Sequence, residues 1–318
     1  VPAMRQLGHE VVGVMSSNSE WGGAYAAEYG IPQSTNSLDE IADWVVDAVY
    51  VSTTNQLHAE QAIWAANAGL NVLCEKPLAL SFADAVAMVD AAAANGVVLA
   101  TNHHLRANSA LHTAKALLAS GDLGELRAIR VNFAGSLPER LRGWRISDPT
   151  CGAGVILDLT VHIADTIRFL TSQEIDYVTA VALSQELGQG VIEDTCLCIF
   201  ELSGGAAVTT YESFSAPHSY SAVEIHGSKS SLYLSDVLTQ EQRGEIIIRR
   251  DGVETPVNVP AADNLYVATI KAFESAIAGS GTPLSSGADG RVSLAVALSA
   301  ARSASEGRRI LVADISSP

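Results

Sequence analysis

The feature that most constrains the fold is an alternation of short apolar strands with helices over the first hundred residues. The strands are rich in β-branched residues, and the segments between them show helical periodicity. Strands and helices that alternate in this way form a parallel sheet with helices on both faces. The pattern predicts a doubly wound, Rossmann-like α/β domain, with strands at residues 9–15, 48–52, 71–74 and 97–100 and helices at 20–29, 38–45, 57–68 and 82–94.

The later part of the chain predicts a different architecture. Helices at residues 110–120 and 155–170 flank a strand at 126–133. Consecutive strands joined by turns such as Ser203-Gly204-Gly205 then indicate an antiparallel sheet. We predict an α+β domain with a large, mainly antiparallel open sheet, with further strands at 178–185, 195–202, 206–213, 221–226, 231–234 and 245–249.

These patterns predict a dinucleotide-binding domain at residues 1–104 and a substrate domain, with the large sheet, at residues 105–263. Two helices are predicted at 265–278 and 291–306. The segment that contains them, residues 264–318, is a candidate to pack on the first domain. Residues 1–8 resemble the last turns of a helix that ends at a glycine cap. We therefore expect the natural polypeptide to be longer by roughly 20 residues, which would include the first strand and turn of such a domain.

Composition narrows the possible partners. The chain carries 35 acidic and 19 basic residues, a net charge of −16, whereas nucleic-acid binding needs a basic footprint. No window approaches 18 uninterrupted apolar residues, which argues against a membrane span. Cys196 and Cys198 alternate along a predicted strand, so both should face the core. With Cys74 and Cys151 they form no disulfide or metal pattern, which suits a reducing, cytoplasmic location.

The sequence Cys74-Glu75-Lys76-Pro77 directly follows a predicted buried strand. Open α/β sheets bind cofactors and substrates at the carboxyl ends of their strands. Pro77 restricts the backbone, and a cis peptide bond before it would aim the Lys76 ammonium into the cleft. Lys76 is therefore a candidate catalytic residue, although an ordinary surface lysine at a strand-to-loop turn has the same pattern.

A second candidate group lies on the long helix predicted at residues 155–170. Asp158, His162 and Asp165 are spaced by four and three residues, which places them on one face of an α-helix. Ionisable groups on a mostly apolar helix are costly unless they face a cleft or each other. Two other interpretations remain open, a histidine stabilised by two carboxylates on a solvated face and a metal site, for which no further ligand stands at suitable spacing.

Lys76 together with Asp158 and His162 indicates acid–base chemistry on a carbonyl group. Hydride addition to a ketone builds negative charge on oxygen, which an ammonium or imidazolium stabilises and protonates. Asp158 would fix the tautomer of His162 and favour its protonated form. Because no side chain supplies a hydride, a cofactor is required. We expect the amine and the imidazole to converge from the two domains across a shared crevice.

Two further segments supply candidate ligands. Asn102, His103 and Arg106 follow a predicted strand end, so we expect them to border the same crevice, Asn102 towards the cofactor and the other two towards the substrate. Trp144 and Arg145 precede the long helix. An aromatic face beside arginine and imidazole donors suits a polyhydroxylated ring, although ordinary packing of Trp144 is a nearly equal alternative.

Glu75-Lys76-Pro77 after a βαβ domain, followed by Asp158-x-x-x-His162, resembles the glucose–fructose oxidoreductase/inositol dehydrogenase (Gfo/Idh/MocA) family over essentially the whole chain. The resemblance implies an NAD(P)-dependent oxidoreductase that acts on CH–OH or C=O groups, with Lys76, Asp158 and His162 as its catalytic group. It also implies a set of residues that line the cofactor: Ser16, Ser17, Thr53, Thr54, Asn55, His58, Glu75 and Lys76. The chain departs from the family pattern at Thr160, where many relatives have glycine, and in lacking the Gly-rich phosphate turn.

The cofactor prediction is NADP(H), with NAD as the alternative. NAD enzymes of this fold usually place an acidic residue after the second strand to bind the ribose 2′-hydroxyl. Ser16, Ser17 and Asn18 supply hydroxyls and an amide there instead, and these tolerate a 2′-phosphate better than a carboxylate would. Trp21, however, stands where a relative has an arginine able to hold that phosphate, which weakens the NADP assignment.

The predicted reaction is reduction of a sugar-derived ketone. One alternative is a sugar or inositol dehydrogenase working in the oxidative direction. Another is a regulator that binds nucleotide and sugar without turnover, which would need none of the three proton-transfer groups. We predict no metal, nucleic-acid or membrane partner, and a homo-oligomer formed through the uncovered face of the large sheet.

Overall fold

Alternating strands and helices occupy the first part of the chain in the computed structural model, which describes residues 1–316. They belong to the first of two units, residues 1–102 with 266–288; the second unit comprises residues 103–265 and those from 289 onward. The elements of residues 1–102 are α1 (Pro2–Gln6), β1 (Gly13–Met15), α2 (Ser19–Tyr29), β2 (Gln33–Thr35), α3 (Leu38–Ile41), β3 (Ala48–Val51), α4 (His58–Asn67), β4 (Asn71–Cys74), α5 (Phe82–Asn95) and β5 (Leu99–Thr101).

All strand pairs described for the first unit are parallel. Among the described residues, β1 and β2 form one sheet and β3, β4 and β5 form another, in that order. Val72 and Leu73 of β4 are buried, as are Ala65 and Ala66 of α4, whose small side chains permit close helix packing. The predicted parallel Rossmann-like architecture is confirmed, with its strands divided between two sheets.

Two details of the first unit differ from prediction. Strand β2 was not predicted, because its sequence, Gln33-Ser34-Thr35, has no apolar alternation. Helix α3 ends at Ile41 rather than at residue 45. The chain then turns so that the Trp44 indole lies over Gly13, where an added Cβ would come within 2.2 Å of the ring. Local periodicity does not reveal that contact.

The second unit contains one large sheet. Its elements are α6 (Ser109–Ala119), β6 (Leu126–Ala134), α7 (Glu139–Arg142), α8 (Val161–Thr171), β7 (Ile175–Leu183), β8 (Thr195–Leu202), β9 (Ala207–Ser213), β10 (Ser221–Gly227), β11 (Ser231–Ser235), β12 (Glu245–Arg250) and β13 (Val253–Val257). The remaining elements of the chain are α9 (Leu265–Ile277), α10 (Gly287–Glu306), β14 (Ile310–Leu311) and α11 (Ala313–Ser316).

Nine strands of the described chain form this sheet, in the order β13-β12-β11-β10-β6-β9-β8-β7-β14. Every neighbouring pair is antiparallel except β6 with β9, which is parallel, so the predicted mainly antiparallel sheet is confirmed. Cys196 and Cys198 of β8 are both buried, as predicted, and the four cysteines are free thiols. Two strands were missed because β13 is polar and exposed and β14 has only two residues.

The C-terminal segment contributes to both units. Phe273 of α9 packs against Leu73 and Ala100 in the first unit, whereas β14 pairs with β7 in the second. Within residues 1–316, no helix combines the length and the apolar composition that a bilayer crossing requires.

Candidate active site

The first group of predicted site residues lies at the carboxyl ends of β3, β4 and β5. The register pairs Val51 with Cys74 and Cys74 with Thr101, so the residues that follow the three strands emerge side by side. Glu75 N–H donates to Val51 O at 2.9 Å, and Asn102 N–H donates to Cys74 O at 2.7 Å. These bonds place Glu75 and Asn102 next to each other, at the edge where this kind of sheet binds ligands.

Glu75, Tyr50 and Asn102 form a hydrogen-bonded cluster at this edge. The Tyr50 hydroxyl donates to Glu75 Oε1, and Asn102 Nδ2 donates to Glu75 Oε1 at 2.7 Å and to Tyr50 Oη at 3.1 Å. Burial and the neighbouring Glu75 charge raise the pKa of Tyr50, so its hydroxyl stays protonated and remains a donor. The same two causes raise the pKa of Tyr266 to about 12. Sequence reasoning missed Tyr50, which has no local signal beyond its place in a buried strand.

Lys76 and the Asn102 amide complete the polar groups at this edge. The Lys76 N–H donates to Glu75 Oε2 at 3.3 Å, and the Lys76–Pro77 peptide bond is cis, as the sequence suggested. Asn102 is 1% exposed, and no described residue donates a hydrogen bond to its Oδ1.

His58 joins the loop after β3 to the loop after β4. The ring is fully buried, with Nδ1 2.9 Å from Pro77 O and Nε2 3.2 Å from Thr53 O. Burial lowers the pKa of His58, and the hydrogen bonds to the two carbonyl oxygens oppose this shift. Thr53 Oγ1 donates to Gln61 Oε1 at 2.8 Å. The other predicted residues of this loop are Thr54 and the buried Asn55.

The predicted adenosine end follows β1. Ser16 N–H donates to Thr35 O at 3.0 Å, which extends the β1–β2 pair, and the Asn18 side chain caps α2. Ser17 is exposed. Trp21 is 59% exposed, and its ring stacks on Tyr25 with the centroids 5.4 Å apart. Hydroxyl groups and an aromatic face are therefore accessible beyond this strand.

The second group of site residues lies in the second unit, around His162. His162 is 5% exposed. His103 and His104 contact its ring edge to face, with centroid distances of 5.7 and 5.3 Å, and the Phe133 ring lies 6.3 Å away. The imidazole is thus held in an aromatic cage built from two other segments of this unit, residues 103–104 and strand β6.

Asp158 lies on a π-helical turn, Ile156–Thr160, that precedes α8. The predicted continuous α-helix over 155–170 is therefore wrong in its first part, because a π turn spaces its hydrogen bonds by five residues and adds one residue to the turn. Asp158 lies beside Arg145, with Nε 3.8 Å from Oδ1, and the Arg145 guanidinium lies 4.5 Å from the centre of the Trp144 ring. These contacts bring together three of the predicted site residues.

Asp165 faces a different arginine. Arg106 Nε and Nη2 each donate to the Asp165 carboxylate at 2.8 Å, and Nη2 is also 3.2 Å from Asp289. His103 Nε2 lies 3.9 Å from the same carboxylate. Asp165, which was predicted to share a helical face with Asp158 and His162, forms a buried ion pair with Arg106. The role of Arg106 in substrate binding stays a prediction, which this pair does not favour.

Two acids that the sequence reasoning missed support the π turn, the half-buried Glu193 and the buried Glu212. Glu193 Oε1 accepts a hydrogen bond from Ile156 N at 3.2 Å, and Glu212 Oε2 accepts one from the Thr160 hydroxyl. Burial raises the pKa of Glu193 and that of Glu212 to about 7. The period-two placement of Glu212 among inward-facing strand residues was the available signal. Among the described residues, no group of three or more His, Cys, Asp or Glu side chains could hold a metal ion.

Known families account for both units. An oxidoreductase family with an NAD-binding Rossmann fold matches residues 2–103, and the GFO/IDH/MocA C-terminal domain matches residues 111–233. The chain is 43% identical over 310 residues to the 1,5-anhydro-D-fructose reductase of Ensifer adhaerens, which covers 97% of this chain and 92% of that protein. The chain belongs to the Gfo/Idh/MocA family. The resemblance predicted from its motifs is confirmed, and the protein is an oxidoreductase.

Other relatives of this Gfo/Idh/MocA oxidoreductase are more distant. The myo-inositol 2-dehydrogenase of Thermotoga maritima is 27% identical, with 86% of this chain and 82% of that protein covered. A crystal structure of aldose-aldose oxidoreductase from Caulobacter crescentus, complexed with glycerol, matches with a TM-score of 0.89 at 26% identity, covering 98% of this chain and 94% of that one. Levoglucosan dehydrogenase, in complex with NADH and levoglucosan, has the same fold at 24% identity and a TM-score of 0.82, covering 95% of this chain and 90% of that one.

Proposed function

We propose that this oxidoreductase uses NADP(H) to transfer hydride to or from a sugar-derived ketone or polyol, and that it reduces 1,5-anhydro-D-fructose to 1,5-anhydro-D-mannitol. The observation that carries the proposal is the environment of His162, a nearly buried imidazole among aromatic rings, beside the turn that bears Asp158. The identity to the reductase of Ensifer adhaerens supports the choice of substrate.

Lys76, Asp158 and His162 are the proposed catalytic residues. In the reducing direction, hydride adds to the carbonyl carbon and the electron pair of the C=O π bond moves to oxygen. That oxygen then takes a proton from the Lys76 ammonium or the His162 imidazolium. In the oxidative direction the same group accepts the hydroxyl proton as the hydride leaves carbon. Asp158 would orient His162 and stabilise its cationic form.

The residues at the strand ends fit a nicotinamide dinucleotide, which supplies the hydride when bound. Asn102 Oδ1 accepts no hydrogen bond from a described residue, so it is available to an amide or hydroxyl donor. Glu75 is held rigidly for ribose hydroxyls by Tyr50. We assign the remaining contacts to the loops after β1 and β3, through Ser16, Ser17, Thr53, Thr54, Asn55 and His58.

The proposed preference for NADP(H) rests on the groups after β1. Ser16 and Ser17 place hydroxyls there, and neither would repel a 2′-phosphate. Trp21 offers an exposed aromatic face in the first turn of α2 but no positive charge. We therefore expect a moderate preference, with NADPH favoured over NADH by about tenfold in kcat/KM, equivalent to about 1.4 kcal/mol.

For the substrate we propose His103, Trp144 and Arg145, together with Asp158 and His162. The cation–π contact between Arg145 and Trp144 holds a flat apolar surface beside charged donors. A sugar ring presents apolar C–H faces and polar edges, which suits this combination. Arg106 would act behind these residues, through Asp165.

The test is to follow NADPH and NADH absorbance with 1,5-anhydro-D-fructose and a panel of other sugar ketones and polyols. We expect Lys76→Ala to lower the rate by about 10²–10⁴-fold. Lys115→Ala is the matched control, because Lys115 lies over the Phe169 ring in the second unit. A Lys76→Ala rate within about tenfold of the unmodified rate would refute the proton-transfer role. Nucleotide binding without turnover would favour a regulator, and a preference for NADH would overturn the cofactor assignment.

Oxidation of a sugar or inositol is the second candidate function, favoured by the identity to the myo-inositol dehydrogenase of Thermotoga maritima. The substrate panel separates it from the leading proposal, since a polyol would then be turned over with NADP⁺ or NAD⁺ faster than any ketone is reduced.

The four free, buried thiols suit a reducing, cytoplasmic location.

We also propose that the protein is a homo-oligomer through the outer face of the large sheet. Val181 of β7 and Leu197 and Ile199 of β8 are exposed there, and β7 and β8 are hydrogen-bonded neighbours. Clustered apolar side chains on one sheet face mark an interaction surface. Light scattering should report an oligomer that Leu197→Glu dissociates; a monomer in the unmodified protein would contradict this.

A further inference from the structure

The π-helical turn Ile156–Thr160 needs support from outside itself. Turns of this kind are rare, usually single, and concentrated at functional sites. Asp158 lies at the centre of the turn, and His162 lies just beyond it in α8. An α-helical turn contains one residue fewer than a π turn. If this turn became α-helical, Asp158 would therefore rotate about the helix axis by about 100° relative to His162. Whatever holds the turn therefore sets the relation between these two residues.

Glu193 holds the beginning of the turn. Its carboxylate accepts the hydrogen bond from Ile156 N at 3.2 Å, and its carbonyl oxygen accepts one from Val155 N at 3.1 Å. Gly154 makes room for this contact, because a Cβ there would lie 2.2 Å from Glu193 Oε1 and its φ is +111°. A side chain at position 154 would displace the carboxylate.

Glu212 holds the end of the turn. It is a fully buried residue of β9 whose carboxylate is bonded on both sides. Oε2 accepts a hydrogen bond from the Thr160 hydroxyl, and Oε1 accepts one from the Thr210 hydroxyl at 2.7 Å. Thr210 is in turn fixed by Cys198 N–H, which donates to its Oγ1 at 3.1 Å. The end of the turn is thereby tied to the centre of the large sheet.

We propose that Glu212 is a positioning residue for Asp158 and His162, acting through Thr160 to keep the turn π-helical. The proposal rests on the proposed function, in which His162 is one of the two proton-transfer groups and Asp158 orients it. It assigns a role to the Thr160 hydroxyl, which donates to the buried Glu212 carboxylate. A glycine there would have no hydroxyl to bond to Glu212.

The charges around Glu212 are consistent with this role. Burial raises the pKa of Glu212 to about 7, a rise that the Glu193 charge increases and the two hydroxyl donors reduce. Cys196 and Cys198 lie beside it on β8. The contact with the Cys196 thiol, followed by burial, raises the pKa of Cys198. Two hydroxyl groups orient the carboxylate among these neighbours.

Thr160→Val and Thr210→Val form a matched pair for testing the proposal. Each removes one hydroxyl bond to the same carboxylate at a buried site, and both should lower the Tm. Thr210→Val also removes the acceptor of the Cys198 N–H, so it is the more severe change of the two. We expect Thr160→Val to lower kcat by about tenfold with the cofactor KM changed less than about twofold, and Thr160→Ser to restore kcat to within about twofold. Thr210→Val should keep kcat within about threefold. If Thr160→Val does not fold, Thr160→Ala is used in its place.

Equal losses of kcat in the two variants, or an unchanged kcat in Thr160→Val, would overturn the proposal. Amide hydrogen exchange across residues 155–165 gives a second readout that needs no turnover. Faster exchange in Thr160→Val alone supports the proposal that the Thr160–Glu212 hydrogen bond holds the turn, and equal exchange in both variants refutes it. Failure of the proposed function is recognised separately, because the unmodified enzyme would then turn over no sugar ketone or polyol. In that case the hydrogen-exchange measurement alone would test whether Glu212 supports the turn.

Discussion

Arg106 and Asp165 form a bidentate ion pair in the interior of the second unit, with Nε and Nη2 of the arginine each 2.8 Å from a carboxylate oxygen. The pair joins the turn His104–Ala107 to α8, across 59 residues of sequence. Because His103 and His104 contact His162 on that helix, the pair also orients the histidine cage.

Breaking this pair should destabilise the protein strongly. We expect Arg106→Ala to lower the free energy of unfolding by about 3–5 kcal/mol, because it leaves Asp165 buried without its main partner. Arg106→Lys should recover only part of the loss, since an ammonium cannot form the bidentate contact. Urea denaturation measures both, with Arg130→Ala as the control. Arg130 is 68% exposed in its pair with Glu224 and should contribute less than about 1 kcal/mol. Similar losses for the two alanine variants would contradict a structural role for the buried pair.

Removing the Tyr50 hydroxyl should weaken nucleotide binding. Tyr50→Phe removes the donor that holds the Glu75 carboxylate, and we expect the Kd for the preferred nucleotide to rise by about tenfold. Tyr29→Phe is the control, because it removes a hydroxyl from the last residue of α2, in the same unit. Titration of each variant with NADPH, followed by fluorescence, gives the two constants. Unchanged binding in Tyr50→Phe would show that Glu75 needs no such support.

Glu212 predicts a pH dependence of stability. Burial raises the pKa of its carboxyl from 4.5 to about 7, so the folded state binds this proton more tightly than the unfolded state. Its contribution to stability is therefore fully present below pH 4.5 and is lost as the pH rises through 7. Between pH 5 and pH 8 the loss should be about 2–3 kcal/mol, at 1.36 kcal/mol for each unit of pKa shift.

Glu212→Gln removes this titration while keeping the shape of the side chain. The stability of the variant relative to the unmodified protein should therefore increase between pH 5 and pH 8 by about the same 2–3 kcal/mol. Denaturation of both proteins at several pH values measures the difference between their free energies of unfolding. Groups that titrate in the same way in both proteins do not contribute to this difference. A difference that is constant with pH would mean that Glu212 is ionised across the whole range.

Local patterns were sufficient for the parts of the site that follow strands. Alternation of strand and helix predicted that residues 75–77 and 102–103 leave the carboxyl ends of neighbouring parallel strands, and the register of β4 with β5 shows that Glu75 and Asn102 are neighbours. The cis bond before Pro77 was also suggested by sequence, since proline is the residue that makes such bonds accessible.

The helical part of the site was less predictable. A spacing of four and three residues places Asp158, His162 and Asp165 on one face only if the helix is regular throughout. One additional residue in the turn 156–160 changes that relation, and no periodicity in the sequence marks it. Two acids from other segments hold the turn, and Glu212 is 52 residues away from Thr160 along the chain.

The sequence by itself determined the two-part architecture, the family and the strand ends at which Lys76, Glu75 and Asn102 stand, because these depend on residue periodicity and short motifs. Only the tertiary structure decided that Asp165 pairs with Arg106, that Tyr50 holds Glu75 and that Glu212 supports the turn carrying Asp158. Each of these is a contact between side chains that are distant in sequence. Such contacts are set by how the helices and strands pack, which local patterns do not contain.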